Sequence, residues 1–199
     1  MTEFAVESSR SVYKGRIMGL RVDEVRMPGG GTATRQVVEH PGAVAILALD
    51  AEDRVVLIRQ YRHPVGQWLI ELPAGLLDVP GEPPLTSAAR ELHEEAGLAA
   101  VRWDTLVDLR PSPGLSEEAI RVYLARDLTE VAETDRHVGI EEETDLGLHR
   151  LPLEEAVAAI FAGRIENSAT VAGLLAAAYA RDRDWAPLRR ADAPWPARD

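Results

Sequence analysis

Short apolar runs separated by turn residues predict most of the strands in this chain. Residues 43–50, "AVAILALD", and 54–62, "RVVLIRQYR", are almost entirely apolar and flank the turn "AEDR", which predicts a buried hairpin. Before them, residues 12–38 are typical of short strands broken at "PGGG". Further strands are predicted at 67–75, 101–114, 119–128 and 146–152.

Three segments have the apolar spacing of helices. From about Leu85 to Ala96 the apolar residues share one side, and Gly97 follows as a candidate C-terminal cap. A second helix is predicted to begin at Leu153 and to end at Gly163. A third, rich in alanine, starts behind Asn167, and its small apolar face is expected in the core or at a subunit contact.

The order of these elements predicts the fold class. Strands flank one central helix, and helices return near the end of the chain. This order predicts an α/β protein with a mixed sheet rather than repeated βαβ units. We expect an N-terminal β arm at 1–40, a main domain at 41–184, and an irregular C-terminal tail at 185–199.

Composition and charge limit the classes of partner. The 199 residues carry a formal net charge of −11, which argues against general binding to nucleic acid or to anionic membranes. The apolar runs are too short to span a bilayer, and the N-terminus lacks the apolar core of a secretory signal. Cysteine is absent, which excludes disulfides and thiolate metal sites. Together these features favour a cytoplasmic protein.

The stretch "RELHEEAGL" holds the clearest chemical signal. Glu91, Glu94 and Glu95 would lie within an arc of roughly 100° at the C-terminal end of the helix, where the helix dipole disfavours negative charge. Such a face is most often merely solvated. Here the loop "PAGLLDVPGE" precedes it and could add backbone carbonyls, and hard oxygen donors of this kind are what Mg²⁺ prefers. The sequence therefore favours a magnesium site.

Residues Gly75 to Leu98 resemble the Nudix box, which is Gly, five residues, Glu, seven residues, Arg-Glu, an aliphatic residue, any residue, Glu-Glu, any residue, Gly and an aliphatic residue. The fixed positions from Glu82 onward all match. One departure lies in the loop, where six residues instead of five separate Gly75 from Glu82. The resemblance implies an α/β/α sandwich around a mixed sheet and a hydrolase of nucleoside diphosphates linked to another group.

The resemblance also assigns roles to residues. It implies that Glu91, Glu94 and Glu95, with the carbonyl of Ala74, hold Mg²⁺, for which Mn²⁺ may substitute. Glu95 is counted among the catalytic residues as well. Arg90 and Glu82 are implied to form an ion pair that holds the loop on the helix.

Three further stretches resemble the ADP-ribose pyrophosphatase branch of this family. They are "VVLIRQYRHPVGQWLIELPAG", "SPG" with Pro113 fifteen residues after Leu98, and "GRIENSATVAGLLAA". The branch implies a substrate contact from Arg62. Arg59 is a second candidate for holding phosphate or ribose, although an arginine on a strand is often a plain surface residue. Trp68 is expected in the core, with stacking on a base as the alternative. The branch is commonly dimeric, so we expect a homodimer.

A catalytic glutamate is also implied in the loop before the last strand, "GIEEETDLGLH". Glu142 fits best as the group that activates water, and Glu141 or Glu143 could replace it. Glu117, in "SPGLSEE", is a weaker candidate for a metal or substrate contact. The predicted activity is magnesium-dependent hydrolysis of ADP-ribose, to AMP and ribose 5-phosphate, or of a closely related nucleoside diphosphate sugar. Alternatives are another nucleotide substrate, such as a nucleoside triphosphate or a diadenosine polyphosphate, or a non-catalytic nucleotide-binding regulator.

Overall fold

The computed structural model describes residues 4–131 and 147–195. The chain divides into two compact units, Met1–Gly42 with Arg110–Ala119, and Ala43–Leu109 with Ile120–Asp199. Within the described residues, no helix is long and apolar enough to cross a membrane.

The first unit is built on a three-stranded antiparallel sheet in the order β1-β2-β3. Its strands are β1 (Val6–Lys14), β2 (Gly19–Arg26) and β3 (Thr32–Glu39). Every residue of β1 is exposed to solvent, whereas β2 buries Gly19 and Asp23. Asp23 accepts hydrogen bonds from Ser9 and Arg21, and these bonds lower the pKa of its carboxyl group.

The described part of the second unit contains two sheets and three α-helices. A mixed sheet has the order β11-β8-β9-β4-β7, in which β4 and β9 are parallel, and an antiparallel sheet has the order β10-β5-β6. The bounds are β4 (Ala43–Ala48), β5 (Arg54–Arg62), β6 (Gln67–Glu71), β7 (Ala74–Leu76), α1 (Pro84–Ala96), β8 (Leu98–Leu109), β9 (Ile120–Glu130), β10 (Gly147–Pro152), α2 (Leu153–Phe161), α3 (Ser168–Arg181) and β11 (Arg189–Arg190).

Alternate residues of the central strands are buried on opposite faces of the sheets. Ala45, Leu47 and Leu49 belong to one apolar cluster with α2 and α3. Val44 and Ile46 are equally buried but lie outside that cluster, because successive side chains of a strand point to opposite faces. Helix α1 packs on β4, β7 and β8, and its buried Leu92 is also outside the α2–α3 cluster. The predicted α/β/α sandwich is confirmed.

The hairpin predicted from 43–50 and 54–62 does not form. β4 and β5 belong to different sheets, and a single isolated bridge, Leu49 to Val55, joins them. Both strands have buried side chains on both faces, which is typical of strands in a sheet that other layers cover on each side. The apolar runs therefore identified the strands but not their partners.

The predicted ends of the first two helices agree with the structure to within two residues, and α3 ends at Arg181, three residues before the end of its predicted segment. α1 ends at Ala96, and the following Gly97 adopts a left-handed conformation with φ 63° and donates its N–H to the carbonyl of His93. Asn167 caps α3 by accepting a hydrogen bond from the N–H of Thr170 at 3.0 Å. α2 ends at Phe161, two residues before Gly163.

The small face of α3 packs within the chain's own core. A Cβ at Gly173 would lie 2.9 Å from Cδ1 of Leu72 and 3.2 Å from Cγ1 of Val122, so glycine lets helix and sheet approach closely without displacing these side chains. Of the two predicted locations for this face, the structure shows the core. The face therefore gives no argument for a subunit contact.

The described part of the C-terminal tail is docked rather than free. The guanidinium of Arg121 on β9 donates to the carbonyls of Ala193 and Pro194 and lies 4.8 Å from the ring centroid of Trp195. Arg121 is 2 % exposed and Trp195 8 % exposed. A buried guanidinium needs acceptors, and the tail carbonyls supply two of them.

Candidate active site

Gly75 allows β7 to lie directly against the predicted acidic helix face. A Cβ at Gly75 would overlap the Cγ, Cδ and Oε1 atoms of Glu91. The absence of a side chain is therefore what allows the Glu91 carboxylate to occupy its place. The same short strand contacts the helix a second time, where the N–H of Ala74 donates to Oε2 of Glu95 at 2.8 Å.

Arg90 links the other acidic side chains. Its Nη1 atom donates to Oε1 of Glu91 at 2.7 Å and to Oε2 of Glu94 at 3.0 Å. Its Nη2 atom donates to Oε2 of Glu82 at 3.2 Å, so the predicted ion pair between loop and helix is confirmed. One guanidinium thus offsets part of the repulsion among three carboxylates.

Ser87 fixes the loop side of this arrangement. Its hydroxyl, which is fully buried, donates to Oε2 of Glu82 at 2.6 Å. The bonds from Arg90 and Ser87 lower the pKa of the Glu82 carboxyl group. The extra residue between Gly75 and Glu82 therefore does not detach Glu82 from the helix. Ser87 stands at a variable position of the box, so no sequence pattern indicated its role.

The pKa of Arg90 is raised, first by its hydrogen bond to Glu82 and then by the charges of Glu91, Glu94 and Glu82. The guanidinium is accordingly a permanent cation at this end of the helix. Within 4–131 and 147–195, no three acidic or histidine side chains converge as a ready-made metal site. The three predicted carboxylates share one helix face, and Arg90 and Ala74 hold them.

The donor set nevertheless fits a hard divalent cation. It consists of carboxylate oxygens on one helix and the backbone of the adjacent strand β7. Mg²⁺ is usually bound by one or two carboxylates together with water and substrate phosphates. Glu91, Glu94 and Glu95 supply these oxygens on neighbouring turns of α1.

The two predicted substrate arginines lie on opposite faces of the β10-β5-β6 sheet. Arg62 pairs in register with Gln67, and Arg59 pairs with Ile70. Because the two arginines are three residues apart along β5, their side chains point to opposite faces. Arg62 donates from Nε and Nη2 to the buried Glu71 at 3.0 and 2.7 Å. Arg59 lies on the other face of the sheet, together with Ile70, which packs against the α2–α3 cluster. The structure does not bring the two arginines together.

Trp68 is not a core residue, so the expectation of burial was wrong. Its side chain is 41 % exposed, with Arg59 stacked on the ring at 4.2 Å and Tyr61 at a centroid distance of 5.6 Å. The register places Trp68 opposite Tyr61, one pair from the end of the ladder between β5 and β6.

The remaining candidates lie elsewhere or outside the described residues. Glu117 belongs to the first unit and accepts a hydrogen bond from Arg21 at 2.8 Å. Glu142, together with Glu141 and Glu143, lies outside the residues that the structure describes.

Comparison with known proteins gives matches along most of the chain. The NUDIX domain model matches residues 39–171, and the model of the nucleoside diphosphate sugar hydrolase N-terminal domain matches 5–38. The ADP-ribose pyrophosphatase of Mycobacterium tuberculosis is 49% identical, covering 97% of this chain and 91% of that protein. The methanol dehydrogenase activator of Bacillus methanolicus is 37% identical, covering 82% of this chain and 86% of that protein. A crystal structure of an ADP compounds hydrolase superposes with a TM-score of 0.77 at 20% identity, covering 93% and 98% of the two chains, and it shows the same fold.

Proposed function

The chain belongs to the Nudix hydrolase family, and on that premise we propose that it hydrolyses the pyrophosphate bond of ADP-ribose, giving AMP and ribose 5-phosphate. The observation that carries the proposal is the 49% identity to an ADP-ribose pyrophosphatase over 97% of the chain. The complete set of box carboxylates on α1 supports an active enzyme, since a protein that only bound a nucleotide would not need all of them.

We propose that the divalent metal is magnesium, with manganese as a substitute, held by Glu91, Glu94 and Glu95 and by the carbonyl of Ala74. When bound, the metal would stabilise negative charge on the pyrophosphate oxygens. The chain's own residues prepare the site. Ala74 fixes Glu95 through its N–H, and Arg90 holds the carboxylates of Glu91 and Glu94.

For the attacking water, we propose Glu142 as the general base, with Glu141 and Glu143 as the neighbours that could take its place. A carboxylate in this loop would approach three other carboxylates only once their charge is compensated. Glu117 is the second choice, because Arg21 already engages it. Arg62 is the proposed substrate contact, and Arg59 is a weaker one because it lies on the other face of its sheet.

We further propose a cytoplasmic homodimer whose N-terminal sheet takes part in the contact. β1 is exposed along its whole length and carries the exposed apolar side chains Val6, Val12 and Tyr13. An exposed strand of this kind is a template for association with another chain. Sedimentation that shows a fully active monomer at micromolar concentration would count against the dimer.

Two other functions have specific support. The model that matches residues 5–38 is named for nucleoside diphosphate sugar hydrolases, which favours other nucleotide sugars as substrates. The relative named methanol dehydrogenase activator keeps a regulatory role as a candidate.

A substrate panel with and without magnesium separates these functions. ADP-ribose, other nucleoside diphosphate sugars, diadenosine polyphosphates and nucleoside triphosphates are each incubated with the protein, and the products are resolved by chromatography. We expect the highest kcat/KM for ADP-ribose, and we expect no hydrolysis when the divalent metal is left out. A higher kcat/KM for another sugar nucleotide would identify that compound, instead of ADP-ribose, as the preferred substrate. No metal-dependent turnover of any compound would favour the regulator.

A further inference from the structure

Arg62 is held by a partner from which it cannot easily move away. Glu71 is 2 % exposed, and both of its carboxylate oxygens accept hydrogen bonds from one edge of the Arg62 guanidinium. The Arg62 side chain itself is 40% exposed. One end of the pair is therefore fixed inside the protein while the other end reaches the surface.

The pair stands on a defined face of the antiparallel sheet. Glu71 lies opposite Ile58 in the register, and Arg62 is on the same face as Ile58 because the two are four residues apart on one strand. Ile58 is buried but outside the α2–α3 cluster, so this face is turned away from that cluster. Helix α1, with the box carboxylates, packs on β4, β7 and β8 and also contacts β5, and its buried Leu92 lies outside the same cluster.

The bonding pattern fixes the plane of the guanidinium. Two parallel N–H···O bonds set orientation as well as distance, which one bond or an exposed ion pair does not do. The bonds join Nε and Nη2 of Arg62 to the two carboxylate oxygens of Glu71 at 3.0 and 2.7 Å. A buried carboxylate is costly without a partner, so the arrangement is strongly held.

The geometry points to Glu71 as a positioning residue, which aims Arg62 at the substrate. This inference rests on the proposed function, in which Arg62 is a substrate contact. Glu71 acts through Arg62 and touches no reacting atom. Its loss should therefore weaken substrate binding more than it slows the chemical step.

A double-mutant cycle tests the inference, with Glu71→Gln, Arg62→Lys and the double variant. Arg62→Lys keeps a cation beside Glu71, so folding is retained, but it loses the two-bond geometry. We expect each single variant to raise KM for ADP-ribose about tenfold with kcat within about threefold, as for a lost charge-assisted hydrogen bond. The double variant should also raise KM about tenfold, because the two changes remove the same interaction. A double effect near one hundredfold would overturn the inference.

Asp108 offers a matched control. It accepts the same two-bond contact from Nε and Nη2 of Arg121, at 2.7 and 3.1 Å, in the same unit. Asp108→Asn should lower Tm and leave KM unchanged. If Asp108→Asn raised KM as much as Glu71→Gln, the effect would be a general loss of structure and not positioning. Glu71→Asp keeps the charge on a shorter stem and should give a KM between those of wild type and Glu71→Gln.

Two measurements without turnover separate this inference from the proposed function. The Nε–H signal of Arg62 in an NMR spectrum should exchange slowly with solvent in wild type and quickly in Glu71→Gln. Calorimetry with ADP, without metal, should show weaker binding for Glu71→Gln. If wild type bound ADP in this way but hydrolysed no ADP-ribose, the proposed function would fail and the positioning role would stand. Turnover of ADP-ribose with an unchanged KM in Glu71→Gln would overturn only the positioning role.

Discussion

Gly75→Ala places a methyl group where the Glu91 carboxyl group now lies. The added Cβ would overlap Cγ and Cδ as well as one oxygen of Glu91. Because the overlap reaches back to Cγ, a small rotation of the carboxylate does not relieve it. Either the Glu91 side chain leaves this position, or β7 moves away from α1.

The expected cost in stability is modest. Displacing Glu91 breaks its 2.7 Å bond from Arg90. A hydrogen bond to a charged group contributes about 1.5–3 kcal/mol, and less here because the Arg90 side chain is 32% exposed. Replacing glycine by alanine restricts the unfolded chain and returns about 0.4–1 kcal/mol. The net loss is about 0.5–2 kcal/mol, and each kcal/mol corresponds to roughly 2–4 °C in Tm.

The expected cost in activity is larger. A misplacement of about 1 Å in a catalytic group can lower the rate about 100-fold. We therefore expect kcat/KM for ADP-ribose to fall about 100-fold at saturating magnesium, while the protein remains folded at the assay temperature. A titration with magnesium should also show a higher concentration at half-maximal rate, because Glu91 is a proposed ligand.

The assay follows ADP-ribose hydrolysis through phosphate that alkaline phosphatase releases from the products, with Tm measured on the same samples. Gly29→Ala is the matched control, because a Cβ at Gly29 meets no atom within 4 Å. It should keep both rate and Tm. If Gly75→Ala kept the wild-type rate and magnesium dependence, the position of Glu91 against Gly75 would not be the one that catalysis uses.

Three other changes test neighbouring parts of the site. Glu95→Gln should lower turnover by orders of magnitude with an unchanged circular dichroism spectrum, and wild-type turnover at saturating magnesium would remove Glu95 from the metal site. Glu142→Gln should lower kcat with little change in substrate Kd; if a variant with Gln at 141–143 kept its rate, the base would lie elsewhere and Glu117 would be tested next. The lowered pKa of Glu82 means that its ion pair stabilises the fold above the unfolded pKa of about 4.5 and is lost as pH falls through the folded value. Urea unfolding from pH 7 to pH 3 should therefore show a smaller acid loss in Glu82→Gln than in wild type, and an identical loss would contradict this.

The helix with its acidic residues could be predicted from the sequence because the residues that specify it are close together along the chain. The apolar spacing, the terminal Gly97 and the glutamates three and four residues apart all lie within one element. The same holds for the Asn167 cap, whose acceptor and donor are three residues apart. A local pattern specifies geometry whenever the partners are joined by one regular element.

Contacts between elements could not be predicted in this way. An apolar run shows that β4 is buried, but the same run suits a hairpin or a place between β9 and β7. The opposite orientation of Arg59 and Arg62 follows from strand alternation, but the burial of Glu71 and the exposure of Trp68 depend on the register of β5 with β6. The docking of the tail depends on Arg121, which lies 72 residues before the carbonyl of Ala193.

The acidic helix end breaks two local rules, and the structure shows how each is offset. Like charges repel at three- and four-residue spacing, and Arg90 bridges Glu91 and Glu94 with one nitrogen. Acidic side chains at a helix C-terminus oppose the helix dipole. The N–H of Ala74 on β7 donates to the Glu95 carboxylate and offsets part of its charge. These bonds come from a residue of the box and from the strand that Gly75 brings close. The single positive charge of Arg90 is smaller than the combined negative charge of Glu91 and Glu94, so it offsets their repulsion without cancelling it. The same contacts that make the acidic helix end tolerable therefore leave it with a net negative charge, which is the charge that the proposed metal site requires.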